Sequence, residues 1–333
     1  MSKRILELAA AANLTDTSTQ DASGGSTIYA DLGGQEWKTR VIQYGEALRK
    51  FDQVCIIDKT MVGTGIKSVT IPKSTSHLNI TTSNTEGDVR TITEMTDLDG
   101  VTLTISASSF KRGVISITKQ ILMTSTVDLI AQARYKIAQA LAQDVDVDIA
   151  TELQDSSVTN RVYGGSATNP GNLADGCTMT PDLLIDAATK IEENNFEPYV
   201  VFLHPIQVRE LRKDPQFTNA SEYGSNEVVL KGEIGQYQGI KIIKTTNVPT
   251  YSSGTTDTNQ SSYAWAVDGH LGIMVGRNRD GSNCAIALAW KEMPSIDYEY
   301  EKDESLHKIY YDQAYAVGIV QPDAVCLIYT SDA

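Results

Sequence analysis

Between Val127 and Leu153 the apolar residues Val127, Ile130, Ile137, Leu141, Val145, Ile149 and Leu153 follow one another at steps of three, four or their sum, the spacing that lines up one face of an α-helix. It predicts a single helix over about 126–154, with Ser125 or Thr126 as N-cap and Asp128 in the first turn. The Gly/Asn-rich stretch from Tyr163 to Gly176 then ends it. At about 1.5 Å per residue such a helix is ~43 Å long. That outruns a small domain, so the chain around it is elongated and the helix acts as a strut between its parts. Asp144, Asp146 and Asp148 lie on this helix; only Asp144 and Asp148 share a face, and the triplet reads as a solvated flank, because calcium needs a loop that wraps oxygens around it.

On the N-terminal side of the helix the period changes to two. Val69/Ile71, Leu78/Ile80, Val101/Leu103/Ile105 and Ile115/Ile117 alternate with Ser and Thr, which reads as long antiparallel strands. Ser83-Asn-Thr-Glu-Gly-Asp88 and Thr96-Asp-Leu-Asp-Gly100 are turn material and carry much acidic charge. The stretch from Thr81 to Gly100 has few large apolar side chains, too few for a core of its own, and is expected to project from the body. Residues 1–50 hold an apolar segment (Ile5 to Ala12), a Ser/Thr/Asp/Gly stretch (Thr15 to Thr27) and an amphipathic piece around Trp37, Val41, Ile42, Leu48 and Phe51; the middle stretch reads as an extended arm.

Beyond Thr180 the signals alternate. A capped helix runs from Thr180-Pro-Asp to Glu193, a buried strand covers Tyr199 to Leu203, and a second helix follows His204-Pro205 from Ile206 to Arg212. Strands are expected at Ile240 to Ile243, Tyr263 to Val267, Leu271 to Val275 and Cys284 to Trp290. This makes a mixed α/β unit of about 110 residues, an ordinary domain size. After Pro294 period two returns in Ile296/Tyr298/Tyr300, then from Lys308 to Val320, and a last strand runs from Val325 to Tyr329. These late strands are expected to pair with the early ones near Ile115.

With 333 residues, 41% hydrophobic and 21% charged, the chain is neither disordered, collagenous nor a small disulfide scaffold. Its length favours two domains, or one with large excursions. With 42 acidic against 28 basic residues the net charge is −14, so counterion release cannot drive this surface onto nucleic acid. Cys55, Cys177, Cys284 and Cys326 lie far apart without CxxC spacing and read as isolated thiols of a reducing compartment. No apolar run approaches the roughly 20 residues of a membrane span, and the N-terminus does not read as a signal peptide.

The usual chemical motifs fail on spacing. His77, His204, His270 and His307 never come within HExxH or similar distance. Gly63-Thr-Gly-Ile-Lys-Ser68 lacks the phosphate-loop spacing and precedes a strand instead of a helix. Neither a GxSxG elbow nor a GxGxxG turn occurs, and no cysteine has the context of a nucleophile. Arg209, Arg212 and Lys213 sit beside Glu210 and Asp214 and read as a charge-paired helix face. No catalytic, cofactor-binding or metal-binding residue is assigned, and a soluble enzyme survives only as a site assembled from dispersed residues.

The order of elements resembles the major capsid proteins of tailed viruses with the Hong Kong 97-like fold. Three stretches carry the likeness: the Pro-led helix of His204-Pro-Ile-Gln-Val-Arg-Glu-Leu-Arg-Lys-Asp214; Glu233 to Val248-Pro249 through Gln238-Gly-Ile240; and Gln313-Ala-Tyr-Ala-Val-Gly-Ile-Val-Gln-Pro-Asp-Ala-Val325. The resemblance implies an α+β fold with an N-terminal arm (1–50), an extended β-hairpin E-loop (60–112), a P domain with the spine helix (113–180), an A domain (181–293) and C-terminal return strands (294–333). It implies a non-enzymatic structural protein of the virion. Copies of it would form hexamers and pentamers of an icosahedral bacteriophage head around double-stranded DNA, assembled in the host cytoplasm. No sequence-specific DNA binding, membrane contact or cofactor is implied; scaffold, portal and decoration proteins are the other candidate partners. Asn84, Glu86, Gly87, Asp88 and Arg90 on the E-loop and Trp37 on the arm are the expected inter-subunit contacts. An encapsulin-like nanocompartment shell is the alternative within the same fold; the Ser/Thr/Asp-rich arm at 15–27 argues for the virus.

Overall fold

The computed structural model describes residues 49–74, 98–125, 128–214, 236–256 and 263–332. Two compact units divide these residues: the smaller takes those between 111 and 141 and between 294 and 313, the larger takes the others.

The larger unit is built on a seven-stranded mixed sheet. Its strands are β5 (Arg161–Tyr163), β6 (Glu197–Leu203), β7 (Gln236–Tyr237), β8 (Ile240–Lys244), β9 (Thr250–Tyr251), β10 (Gly269–Arg277) and β13 (Val325–Ser331). The order is β5-β13-β10-β6-β8-β7, with β9 pairing β10. β10 runs antiparallel to both β13 and β6, while β6 is parallel to β8 and β13 to β5. Being central, β10 and β13 are buried on both faces and read as nearly continuous apolar runs. Period two divides them between two cores. Val200, Phe202, Ile273, Val275, Leu327 and Tyr329 pack with Phe51, Trp265 and Trp290. Val201, Leu203, Met274, Cys326 and Ile328 face the opposite way, onto helices α3 (Pro181–Glu193) and α4 (Pro205–Lys213).

Both helices start as their sequences dictate. Thr180 Oγ1 accepts from the Leu183 N–H at 3.4 Å, and His204 caps α4 with Pro205 in the first turn. The long helix α2 spans Leu129–Glu152. Ile137, Leu141, Val145 and Ile149 are buried along it, as is Leu153 just beyond it. Its cap is Asp128, whose Oδ1 accepts from the N–H groups of Ile130 and Ala131 at 3.1 and 3.0 Å, which moves the start three residues past the expected one.

A second sheet has the order β1-β11-β12-β4, from β1 (Cys55–Asp58), β11 (Ile286–Glu301), β12 (Leu306–Ile319) and β4 (Phe110–Thr118). The late strand β12 thus lies beside the early strand carrying Ile115 and Ile117, as its period suggested. In the smaller unit Ile137, Leu141 and Ile309 form a core with Ile117, Ile130, Ile296 and Tyr311 around them, and the short helix α1 (Lys119–Thr124) follows β4.

Four expectations need correction. Leu98 to Gly100, read as part of a turn, begin a strand and pair with Pro72 to Ser74, because the ladder with that segment continues past the Asp-Gly step. The segments on either side of Pro294 are one strand: β1 pairs only with Ile286 to Ala289, so Pro294 falls where β11 has lost that neighbour and the missing N–H breaks no ladder bond to it. Tyr263 to Val267 is not a strand. Trp265 is buried against Tyr251 and Tyr329, and its backbone bonds Thr255 and Gly254 in a tight return, so packing of one large side chain overrides the alternation. Asp144, Asp146 and Asp148 are no solvated flank, as described below.

Candidate functional site

The described part of the polar excursion is its stem. β2 (Ser68–Ser74) and β3 (Leu98–Thr104) pair antiparallel from Ser68↔Thr104 to Ser74↔Leu98, with Thr70 and Thr102 hydroxyls bonded across the outer face at 2.9 Å. Val69, Ile71 and Val101 turn inward onto Met61, Leu103, Ala287, Ala289, Ala316 and Val320. The alanines and Gly318 let the stem sit close: a Cβ on Gly318 would come within 2.4 Å of Leu103 Cδ2. Polar ties complete the root. Lys73 Nζ donates to Val320 O at 3.1 Å, and Gln321 Nε2 to Ser74 O at 3.4 Å. Lys291 Nζ donates to the carbonyls of Met61, Thr64 and Ile66, which fixes the loop that enters the stem. The stem is docked on the larger unit and does not stand free of it. Asn84, Glu86, Gly87, Asp88, Arg90 and Trp37 lie outside the described residues.

Large apolar side chains remain exposed in both units. Ile57 (49%), Val62 and Ile66 (44%) surround the stem's entry loop; Val114 (52%), Met123 (73%), Tyr135 and Tyr298 lie in the smaller unit. On this subunit they are unburied apolar surface of the kind that contacts between chains cover.

The aspartates of α2 are structural. Asp146 is fully buried: Oδ1 accepts from the N–H groups of Lys50 and Phe51 at 2.8 and 2.7 Å, and Oδ2 from Asn247 Nδ2 at 2.7 Å. Burial pushes its carboxyl above the ordinary carboxylate value, against the pull of those donors. Asp144 and Asp148 converge on the Tyr315 hydroxyl at 3.0 and 2.6 Å, and burial with these two carboxylates drives that phenol upward. This contact needs both acids on one helix face.

Of the other reactive groups, three thiols are buried and the basic side chains of α4 are paired. The four thiols are free, and burial lifts Cys55 and Cys326 to about 12 and Cys284 to about 11. Arg209 and Lys213 both pair with Glu210, at 2.7 and 3.1 Å. Among the described residues no group of three or more His, Cys, Asp or Glu could hold a metal ion, and no helix is long and apolar enough to cross a membrane. The unforeseen juxtaposition is His204 with His270, whose rings stack at 3.7 Å.

A family model described as phage capsid protein matches residues 100–328. The chain belongs to the phage capsid protein family. Similar solved structures cover nearly the whole of the capsid protein. A chain from Mycobacterium phage Che8 is 19% identical, with 88% of this chain and 96% of that one covered at a TM-score of 0.65. The capsid of cyanophage P-SCSP1u is 16% identical, with 92% and 95% covered at 0.68, and the capsid of Ralstonia phage GP4 is 14% identical, with 90% and 95% covered at 0.64. At such identities the likeness shows the fold, which is Hong Kong 97-like. No curated protein matches the capsid protein. It is a structural major capsid protein of a phage head, and its place is the virion capsid.

Proposed function

We propose that copies of this capsid protein form the hexamers and pentamers of an icosahedral head around double-stranded DNA. The arm (1–50) and E-loop (60–112) of each subunit reach across its neighbours, between P (113–180), A (181–293) and return-strand (294–333) regions. The observation that carries this reading is the stem of the excursion, pinned at its root by Lys73, Lys291 and Leu103 while the 75–97 segment it bears is polar and acidic. A segment unable to build its own core gains order by lying on another surface, and a fixed root gives every copy the same reach. Asn84, Glu86, Gly87, Asp88, Arg90 and Trp37 are the proposed contacts. Many modest contacts repeated by closed symmetry supply the stability no single pair needs.

A net charge of −14 keeps the subunit from adhering to the enclosed DNA, which is held by confinement and not by sequence. No catalytic role is assigned. Assembly takes place in the host cytoplasm, with portal, scaffold or decoration proteins as separate chains.

Electron microscopy of the purified protein tests the reading. Closed shells are expected, with DNA inside the particles from infected cells; enclosed enzyme would instead mark a nanocompartment. Deleting residues 83–99 should leave folded subunits that build no stable shell. Unchanged assembly of that variant would overturn the E-loop assignment.

A further inference from the structure

Three segments of the larger unit meet at the start of α4. His204 closes β6 and caps the helix: its Nδ1 accepts from the Ile206 N–H at 3.4 Å, and Gln207 Oε1 accepts from the His204 N–H at 3.0 Å. Gln207 Nε2 reaches onward to His270 O on β10 at 3.2 Å and to Thr330 Oγ1 on β13 at 2.8 Å. His270 and Thr330 are register partners, so the cap, the beginning of β10 and the end of β13 are one buried polar assembly. Over it the two imidazoles lie nearly parallel, 3.7 Å apart and tilted by 23°. His270 is 5% exposed and its Nε2 stands 2.9 Å from a carboxylate oxygen of Asp332.

This arrangement requires an uncharged His204 ring. A cap that accepts through Nδ1 carries its single proton on Nε2, so a second proton lands on Nδ1 and removes the acceptor of the Ile206 N–H. The new charge would sit at the positive end of the helix dipole. A proton on both rings would stack two cations with one carboxylate to serve them.

We propose that the His204–His270 stack is an acid-operated latch: protonation breaks the cap of α4 and releases the helix start from the ends of β10 and β13. The surrounding charges leave the latch to these groups. Asp332 is the carboxylate that bears on both rings. Asp268, at the β10 entry, accepts from the Ser253 N–H, and Glu210 on α4 is engaged by Arg209 and Lys213. Burial and the neighbouring ring push His204 from 6.5 down to about 4, and burial pushes His270 down as well. A base whose folded value is depressed contributes full stability above its unfolded value, and that contribution is lost as pH falls from 6.5 toward about 4. The latch belongs to the subunit, so its test does not depend on shell geometry.

Hydrogen exchange followed by mass spectrometry on the full chain, corrected for intrinsic rates, reads the opening directly. From about pH 7.5 to about pH 4.5, the opening of peptides covering 204–213 should rise about tenfold relative to α3 peptides, a figure already reduced for the partial exposure of His204. His204→Asn keeps a good cap without a titrating ring and should hold that rise to about twofold or less. His270→Gln removes the second charge and should flatten the rise likewise; it decides the matter should His204→Asn not fold. No extra opening in the wild-type chain, or variants that open in step with it, would overturn the latch.

Discussion

Replacing Asp146 by alanine strips the acceptor from three donors at once: the N–H groups of Lys50 and Phe51 and the Asn247 amide, all within 2.8 Å of its carboxylate. Phe51 and Asn247 are buried with Asp146 and Lys50 is half-buried, so the donors have little solvent to turn to. At about 1–1.5 kcal/mol per orphaned donor the loss is ~4 kcal/mol, a large part of a domain's total stability. Asp146→Asn keeps one oxygen for the two backbone donors and loses the bond from Asn247, so it should cost only about 1–2 kcal/mol. The pH dependence has a definite sign. Burial raises the folded value of this acid, so its contribution is present below the unfolded value and lost as pH rises through the folded one. The gap between wild type and Asp146→Asn therefore narrows toward neutral pH. Equilibrium urea unfolding of the unassembled subunit, followed by the fluorescence of the buried Trp265 and Trp290, measures these differences. An alanine variant within about 1 kcal/mol of wild type would refute the argument that Asp146 ties the 50–51 segment to α2.

Gly269→Ala should destabilise the subunit by at least ~2 kcal/mol, since the new Cβ would stand 2.4 Å from Thr330 O and 2.6 Å from the Trp265 ring; thermal unfolding checks it. Lys291→Met should release the carbonyls of Met61, Thr64 and Ile66 and make the 61–66 loop the first site of limited proteolysis, with the rest of the fold intact. Alkylation of the native subunit near neutral pH should modify Cys177 and spare Cys55, Cys284 and Cys326, whose thiols are buried and held protonated; mass spectrometry of the peptides reads the pattern.

Elements whose packing repeats along the chain were legible from the residues. The stripe from Ile130 to Leu153 announced α2, Thr180-Pro181 and His204-Pro205 announced two helix starts, alternation announced β2, β3 and β12, and a short apolar run announced β13. The failures share one cause: a single long-range contact decided the outcome. Trp265 needed Tyr251 and Tyr329 before its segment turned back. Pro294 could lie inside a strand because β1 stops at Asp58. Asp146 looked exposed by residue type, although Ala150, one turn along the helix, is buried and hinted that this side is covered. His204 and His270 had no shared motif, because the topology alone brings β10 against the end of β6.

The location of β13 also governs when a newly made chain becomes competent. This strand, from Val325 to Ser331, is inserted between β5 and β10 in the interior of its sheet. Until residues 325–331 have left the ribosome the sheet lacks the strand next to its β5 edge, and β10 and β5 lack their partner. Closing that gap joins segments distant along the polypeptide, a slow step compared with winding the helices. A chain lacking residues 325–331 would therefore leave the apolar edge of β10 uncovered.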